Sequence, residues 1–362
     1  MHARVAYWTT WFSPGTEGIS NEVASLAEHF GNSVVFCVSR RWWFRASLKA
    51  RCVFVHPYSY HVSRLAWFIL RMGMDVSHCI GTMDCWYMLR ILDFAPQVLT
   101  IIGPSPRPVA AEQFSRVRFV VAECGATLAW LRGLGFDEDR LRLVHPGVDL
   151  HRFRPTGVAP GRRLRVLFAS SPSSMAGLDE RGVWPLLRAA LVTPDVDYVL
   201  LWRAWSPGRD LLERWVREQG LSNVQFQCAD AKDIPSVVSR SDVVAAPFLP
   251  GGGKSCPNSV LEALACGKPV IVSPALGIAD LVATARAGLV VLPEPASIAA
   301  GVQGVAREYK AMSVAARYLA ESEFSMDRFL ESYARLYETV LGRPVAVPGS
   351  SAVAVSQKQA RP

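Results

Sequence analysis

Two α/β domains, each a parallel sheet with helices on its faces, are what the sequence predicts, and three observations predict them. Short runs of β-branched and aromatic residues alternate with segments of helical periodicity. Glycine-bearing loops open helices in both halves of the chain, and a loop between strand and helix is where such sheets place ligands. The 362 residues, half of them hydrophobic, exceed what one core usually organises.

The elements follow in order. A first strand spans Arg4 to Trp11 and leads through Ser13-Pro14-Gly15-Thr16-Glu17-Gly18 into a helix with Val23, Leu26, Ala27 and Phe30 on one face. Leu99 to Gly103 and Phe119 to Glu123 read as further strands of this domain. The second domain starts on the strand Leu164 to Ser170, followed by a polar loop and a helix from Val183 to Ala190. Strands at Tyr198–Trp202 and Val224–Phe226, a helix after Pro235 and a strand at Ser241–Pro247 continue the alternation. A last helix covers Phe324 to Leu341, and the Pro-, Ser-, Ala- and Gln-rich tail after it reads as disordered.

Composition narrows the function. A net charge of +8 without a recognition motif does not argue for nucleic acid. Eight cysteines scattered without metal-ligand spacing read as free thiols in a reducing compartment, with no zinc. The start of the chain lacks the features of a signal peptide, and no apolar run approaches the ~18 residues of a membrane span. A cytoplasmic protein is expected, one able to sit at the inner face of a membrane. Arg40, Arg41, Arg45, Lys49 and Arg51 surround Trp42-Trp43-Phe44, which suits an anionic membrane surface or an aromatic core stripe flanked by solvated bases.

The candidate site centres on Lys254 to Pro269. Gly251, Gly252 and Gly253 allow a loop to approach a ligand closely. Pro257 and Asn258 then open a helix carrying Val260, Leu261, Leu264 and Ala265 at helical spacing. Free amides at a helix start attract phosphate, and Glu262, one turn in, is placed to accept hydrogen bonds from two ribose hydroxyls. Ser259 and Glu262 also fit a capping box, in which the acid only ties down the helix start. Arg181 precedes the helix at Val183, where a cation opposes the helix dipole unless an anion lies between them.

The segment from Lys254 resembles the signature of the retaining GT-B glycosyltransferases of family 4. Glu262 falls on the second Glu of that signature; Pro257, Asn258, Cys266, Gly267, Pro269 and Val270 match its other positions. Lys254 stands where the first Glu would be. The resemblance extends from Ala6 to Leu341 and implies a GT-B fold, two Rossmann-like domains facing each other across a cleft. The domains implied are 1–155 on the acceptor side and 156–326 for the nucleotide sugar, with a crossover helix at 327–342 and a tail at 343–362. Asp75-Val76-Ser77-His78 resembles the step into a mid-domain strand, with His78 structural, and His145 to Pro155 resembles the interdomain hinge.

The resemblance also implies site roles. Gly18 lines the cleft, with Glu17 in place of a preceding glycine, and Arg181 grips the diphosphate with Gly182 beside it. Ser170 or Ser171 occupies the strand end where the family has a second phosphate cation, and Ile102 the place of a cleft His. Arg203 and Lys254 are candidates to replace the lost cation; Lys254 would otherwise pair with the carboxylate of an acidic donor sugar. Asp195-Val196-Asp197 imitates the paired-acid metal site of GT-A enzymes but reads as a turn after Pro194, so no metal or other cofactor is expected. The activity implied is metal-independent transfer of a sugar, with retention, from a nucleoside diphosphate donor to a carbohydrate or lipid-linked acceptor, as in polysaccharide biosynthesis. A nucleotide-sugar 2-epimerase on the same fold and a catalytically degenerate binding subunit are the alternatives.

Overall fold

A computed structural model of the chain describes residues 3–14, 18–31, 33–38, 44–47, 52–56, 73–85, 88, 95–105, 109–157, 160–228 and 233–345. Glu17, Arg40, Arg41, Trp42, Trp43, Lys49, Arg51 and residues 346–362, on which expectations were placed above, lie outside them. Among the described residues no helix is long and apolar enough to cross a membrane.

The first sheet contains β1 Val5–Thr9, β2 Val34–Val38, β3 Phe44–Ser47, β4 Cys52–Val55, β5 Val76–Gly81, β6 Gln97–Ile101, β7 Val117–Ala122 and β8 Leu141–Leu143, in the order β3-β4-β2-β1-β5-β6-β7-β8. All its pairings are parallel except β3 with β4. The second sheet contains β9 Arg165–Phe168, β10 Asp197–Leu201, β11 Val224–Gln227, β12 Val243–Ala246, β13 Val270–Val272 and β14 Gly288–Val290, in the order β11-β10-β9-β12-β13-β14, all parallel. Strands β1, β5 and β6 are buried at every residue, as expected of parallel strands covered on both faces. The predicted fold therefore holds: two Rossmann-like domains in the GT-B arrangement. In each sheet the chain leaves its first strand to one side and later returns to the other. A crevice forms at that reversal, at the carboxyl ends of β1 and β9.

The basic and aromatic stretch gave no strand signal, yet Phe44–Ser47 forms an antiparallel edge strand in register with β4. The last helix, Met326–Leu341, packs onto the first domain. Ser325 caps it by accepting from the Arg328 N–H, and Gly342 ends it in the left-handed region. Its Phe329, Tyr333, Leu336 and Tyr337 share a core with Val5, Tyr7 and Phe30. There His78 is fully buried between the Tyr337 hydroxyl, 2.6 Å from Nδ1, and Thr100 Oγ1, 2.7 Å from Nε2. Burial lowers its pKa to about 3, so the ring is neutral and structural, as expected. The start of the tail corrects the expectation of disorder from residue 343. Arg343 pairs with Asp75 at 3.2 Å, and the N–H of the buried Val345 donates to Glu338 Oε1.

Candidate functional site

Nine of the residues singled out from the sequence line one cavity of about 180 Å³ between the two domains: Gly18, Ser170, Arg181, Arg203, Lys254, Pro257, Asn258, Ser259 and Glu262. Three helix starts converge there. Gly18 begins the Gly18–His29 helix, Gly182 precedes the Val183–Val192 helix, and Pro257 caps the Asn258–Ala265 helix. Helix starts turn the positive ends of their dipoles toward the crevice, which suits anions.

The walls are held by glycines. A Cβ on Gly18 would lie 2.5 Å from Asn258 Oδ1, so a side chain at the first helix start would displace the Asn258 side chain at the third. Gly182 has φ +67°, and a Cβ there would lie 1.9 Å from the Pro247 carbonyl oxygen. This close approach sets Arg181 at the cleft. Its Nη1 donates to the carbonyls of Ser170 at 3.2 Å and Ser171 at 3.3 Å, and its guanidinium carbon lies 5.6 Å from the Phe248 ring centre. Ser170 Oγ meets Ser259 Oγ at 2.8 Å, which ties the strand end to the helix start. The hydroxyl of Ser171 donates to the Leu201 carbonyl and accepts from the Arg203 N–H, which brings Arg203 to the same wall.

No capping box forms. Pro257, not Ser259, is the cap residue, and no side chain satisfies the helix start, so its amides remain available. Glu262 lines the cavity and is partly buried. Burial pushes its pKa up to about 7, against the pull of Arg152 and Arg203.

Lys254 requires a correction. Its ammonium forms a short ion pair with Glu22 Oε1 of the Gly18–His29 helix and lies 3.5 Å from Glu123 Oε1 at the end of β7. The proximity of Glu123 and Glu22 outweighs burial and raises its pKa, so it stays charged. Its charge is therefore met inside the protein by the carboxyl pair Glu22 and Glu123 of the other domain, with Glu22 the nearer. The expected roles, a phosphate cation or the partner of an acidic sugar, did not include this pairing within the protein. Burial pushes Glu123 well above the carboxylate range, against the pull of Lys254 and with Glu22 beside it adding to the rise. The following residues extend the same seam: the Ser255 N–H donates to the Ile102 carbonyl at 2.9 Å, and Ser255 Oγ lies 3.3 Å from Thr127 Oγ1. Ile102, in place of a cleft His, thus holds the signature loop through its backbone.

Sequence reasoning missed Asn21, Arg152, Trp205 and Phe248, which also line the cavity. For Arg152 a signal was present. Asp149 Oδ1 accepts from the N–H groups of His151 and Arg152, the turn that an Asp at this hinge encodes, and it aims the following cation at the cleft. The paired acids at 195 and 197 are not a site: Asp197 opens β10 and pairs with Arg163 at 3.1 Å. The eight cysteines are all free thiols.

The architecture and cleft define a GT-B protein. Within it, residues 182–308 match the model of the family described as Glycosyl transferases group 1, so this part of the second domain carries that family's sequence. The chain is 28% identical over 173 residues to the D-inositol 3-phosphate glycosyltransferase of Paenarthrobacter aurescens (strain TC1), covering 43% of this chain and 40% of that one. It is 31% identical over 156 residues to the protein of the same name from Mycolicibacterium gilvum (strain PYR-GCK), covering 39% and 33%. The matches thus span less than half the length of these curated relatives. Among solved structures, HepE of Anabaena in complex with UDP and glucose is similar in fold, with a TM-score of 0.76 and 17% identity over 93% of this chain and 100% of that one.

Arg181→Ala is expected to weaken binding of a nucleoside diphosphate by about 1.5–3 kcal/mol, the range for hydrogen bonds to a charged group. Binding of the nucleoside alone should barely change. Calorimetric titration of both ligands checks this, and equal losses would remove Arg181 from the phosphates.

Proposed function

We propose that the protein transfers a sugar from a nucleoside diphosphate donor to an acceptor in the interdomain cleft, with retention of configuration. The observation that carries this reading is Glu262. It is a desolvated carboxyl one turn into a helix whose start is uncapped, in the same cavity as Arg181 and Arg203. In this reading the helix-start amides and Arg181 hold the two phosphates and stabilise the charge that develops on the departing diphosphate. Glu262 accepts hydrogen bonds from the ribose hydroxyls. A metal is not invoked. The family match and the Anabaena protein solved with UDP and glucose support a nucleotide sugar as donor. For the acceptor we propose a carbohydrate or a lipid-linked sugar, with the basic stretch of residues 40–51 contacting anionic lipid.

The test is release of nucleoside diphosphate from a panel of nucleotide sugars, with and without oligosaccharide acceptors. Release that depends on an acceptor supports transfer. Sugar isomerisation without an acceptor would instead mark an epimerase, and binding without turnover a degenerate subunit. Glu262→Gln is expected to weaken donor binding by about 1.5–3 kcal/mol. The raised pKa adds a pH signature. Below about 7 the carboxyl is protonated in the empty cleft, so donor affinity should rise about tenfold from pH 6 to pH 8, as the accepting carboxylate forms. The bridged phosphates of a nucleotide sugar do not titrate there, and Glu262→Gln should abolish the dependence. If the variant keeps the same pH profile, Glu262 is not the group that reads the ribose.

A further inference from the structure

The Asn258–Ala265 helix has a second cavity at its other end. Its first residues face the interdomain cleft; Cys266, Gly267 and Lys268, just past its end, line a cavity of about 440 Å³. At about 1.5 Å per residue the helix separates the two by roughly 12 Å. The other walls are Pro155 and Pro160 of the interdomain linker and Tyr309, Lys310, Ser313 and Val314 of the Pro295–Glu323 helix. That helix departs from helical geometry at Glu308, with φ −116° and ψ 15°, immediately before the residues that line the cavity.

Lys268 distinguishes this cavity. The residue is only 4% exposed, and among the described residues no hydrogen bond or ion pair holds its ammonium, which is not among the fully enclosed side-chain atoms. Its backbone N–H donates to the Ala263 carbonyl. Asp242 acts on it through space, while one of that residue's carboxylate oxygens accepts from the Arg165 N–H. Burial lowers the Lys268 pKa, against Asp242 and Cys266. Tyr309 and Cys266 face the same region as neutral groups, pushed up to about 12 and about 11, first by burial. A helix carboxyl end does attract a cation, but a lysine obtains that benefit with its ammonium still in water. Burying the charge without a partner is costly, and an anionic ligand would remove the cost.

We propose that this cavity binds a small phosphorylated molecule. The phosphate is held by the Lys268 and Lys310 ammoniums and the Tyr309 hydroxyl, and the apolar body lies along Pro155, Pro160 and Val314. Two cations and a hydroxyl donor suit a dianion with three terminal oxygens better than a carboxylate. The occupant touches both the linker and the long helix.

The experiment titrates phenyl phosphate, phenylacetate and inorganic phosphate into the full chain, with excess UDP present to occupy the cleft, and follows heat. The expected result is saturable binding of phenyl phosphate, tighter than phenylacetate and indifferent to UDP. Affinity should fall by roughly tenfold or more in Lys268→Met and persist in Lys268→Arg. Val314→Trp, which alters an exposed rim residue and not the core, should also block it. Unchanged affinity in both Lys268→Met and Val314→Trp, competition by UDP, or no saturable binding at millimolar concentration overturns the proposal. A preference for phenylacetate would reassign the site to carboxylates and overturn the phosphate assignment.

Discussion

Lys254→Met is expected to lower the unfolding free energy by about 3–5 kcal/mol at pH 8, read by urea denaturation, because removing one partner strands the charge of the other in a buried place. Glu22 and Glu123 are 2% and 3% exposed at the side chain, so neither carboxylate regains water when the ammonium leaves. The loss should depend on pH. Glu123 is already held above its unfolded pKa, and loss of the cation removes the contribution that lowers it. Protonation relieves the folded state at pH 5, and stability falls as pH rises from the unfolded carboxylate pKa toward the raised folded one. Lys254→Met combined with Glu22→Gln should recover part of the loss. The same pair joins the domains, so the single variant is also expected to open the cleft and weaken donor binding. A loss below about 1 kcal/mol at pH 8 would place the pair with solvent-screened ion pairs and remove its role as a link between the domains.

Gly182→Ala is expected to cost about 2–5 kcal/mol. A left-handed backbone costs alanine about 1–2 kcal/mol, and overpacking typically adds about 1–3. The atoms that an added Cβ would meet are Pro247 O at 1.9 Å and Pro247 C at 2.9 Å. Both belong to backbone and cannot swing away. Gly251 is the control: its φ is +87°, but nothing lies within 4 Å of a Cβ there, so Gly251→Ala should show only the backbone part. Gly182 also seats Arg181, so its replacement should weaken diphosphate binding beyond the effect on stability. Equal losses at the two glycines would show that the contact with Pro247 yields.

Much of the fold was legible because its signals are local. Period-two and period-3.6 runs of apolar residues report which faces a strand or helix will bury, and glycine and proline report where the chain must turn. Those signals located β1, β6, β7, β9, β10, β11 and β12 and the helices at 18, 183, 234, 258 and 326. The edge strand Phe44–Ser47 was missed because its pairing with β4, rather than its own pattern, makes it a strand. The nucleotide half of the candidate site was equally readable. Glu262 and the Pro257 helix start lie within one short segment, where spacing along the chain sets spacing in space.

Lys254 marks where that reasoning stopped. A cation beside a glycine loop and a helix start matches a phosphate site, and the sequence contains nothing nearby to contradict it. Its partners lie 232 residues away at Glu22 and in the first domain at Glu123, and only the packing of one domain against the other brings them within reach. The Ser259 and Glu262 spacing fits a capping box, but the backbone places the cap at Pro257 and sends Ser259 Oγ to Ser170. Lys268 reads as an ordinary surface cation until tertiary burial surrounds it. The sequence by itself determined most of the alternation of elements and the helix start at Pro257 with Glu262, because each depends on neighbours within a few turns of chain. Only the tertiary structure decided which charges neutralise one another and which is left without a partner, because charge pairing depends on distance and burial between residues that the sequence keeps far apart.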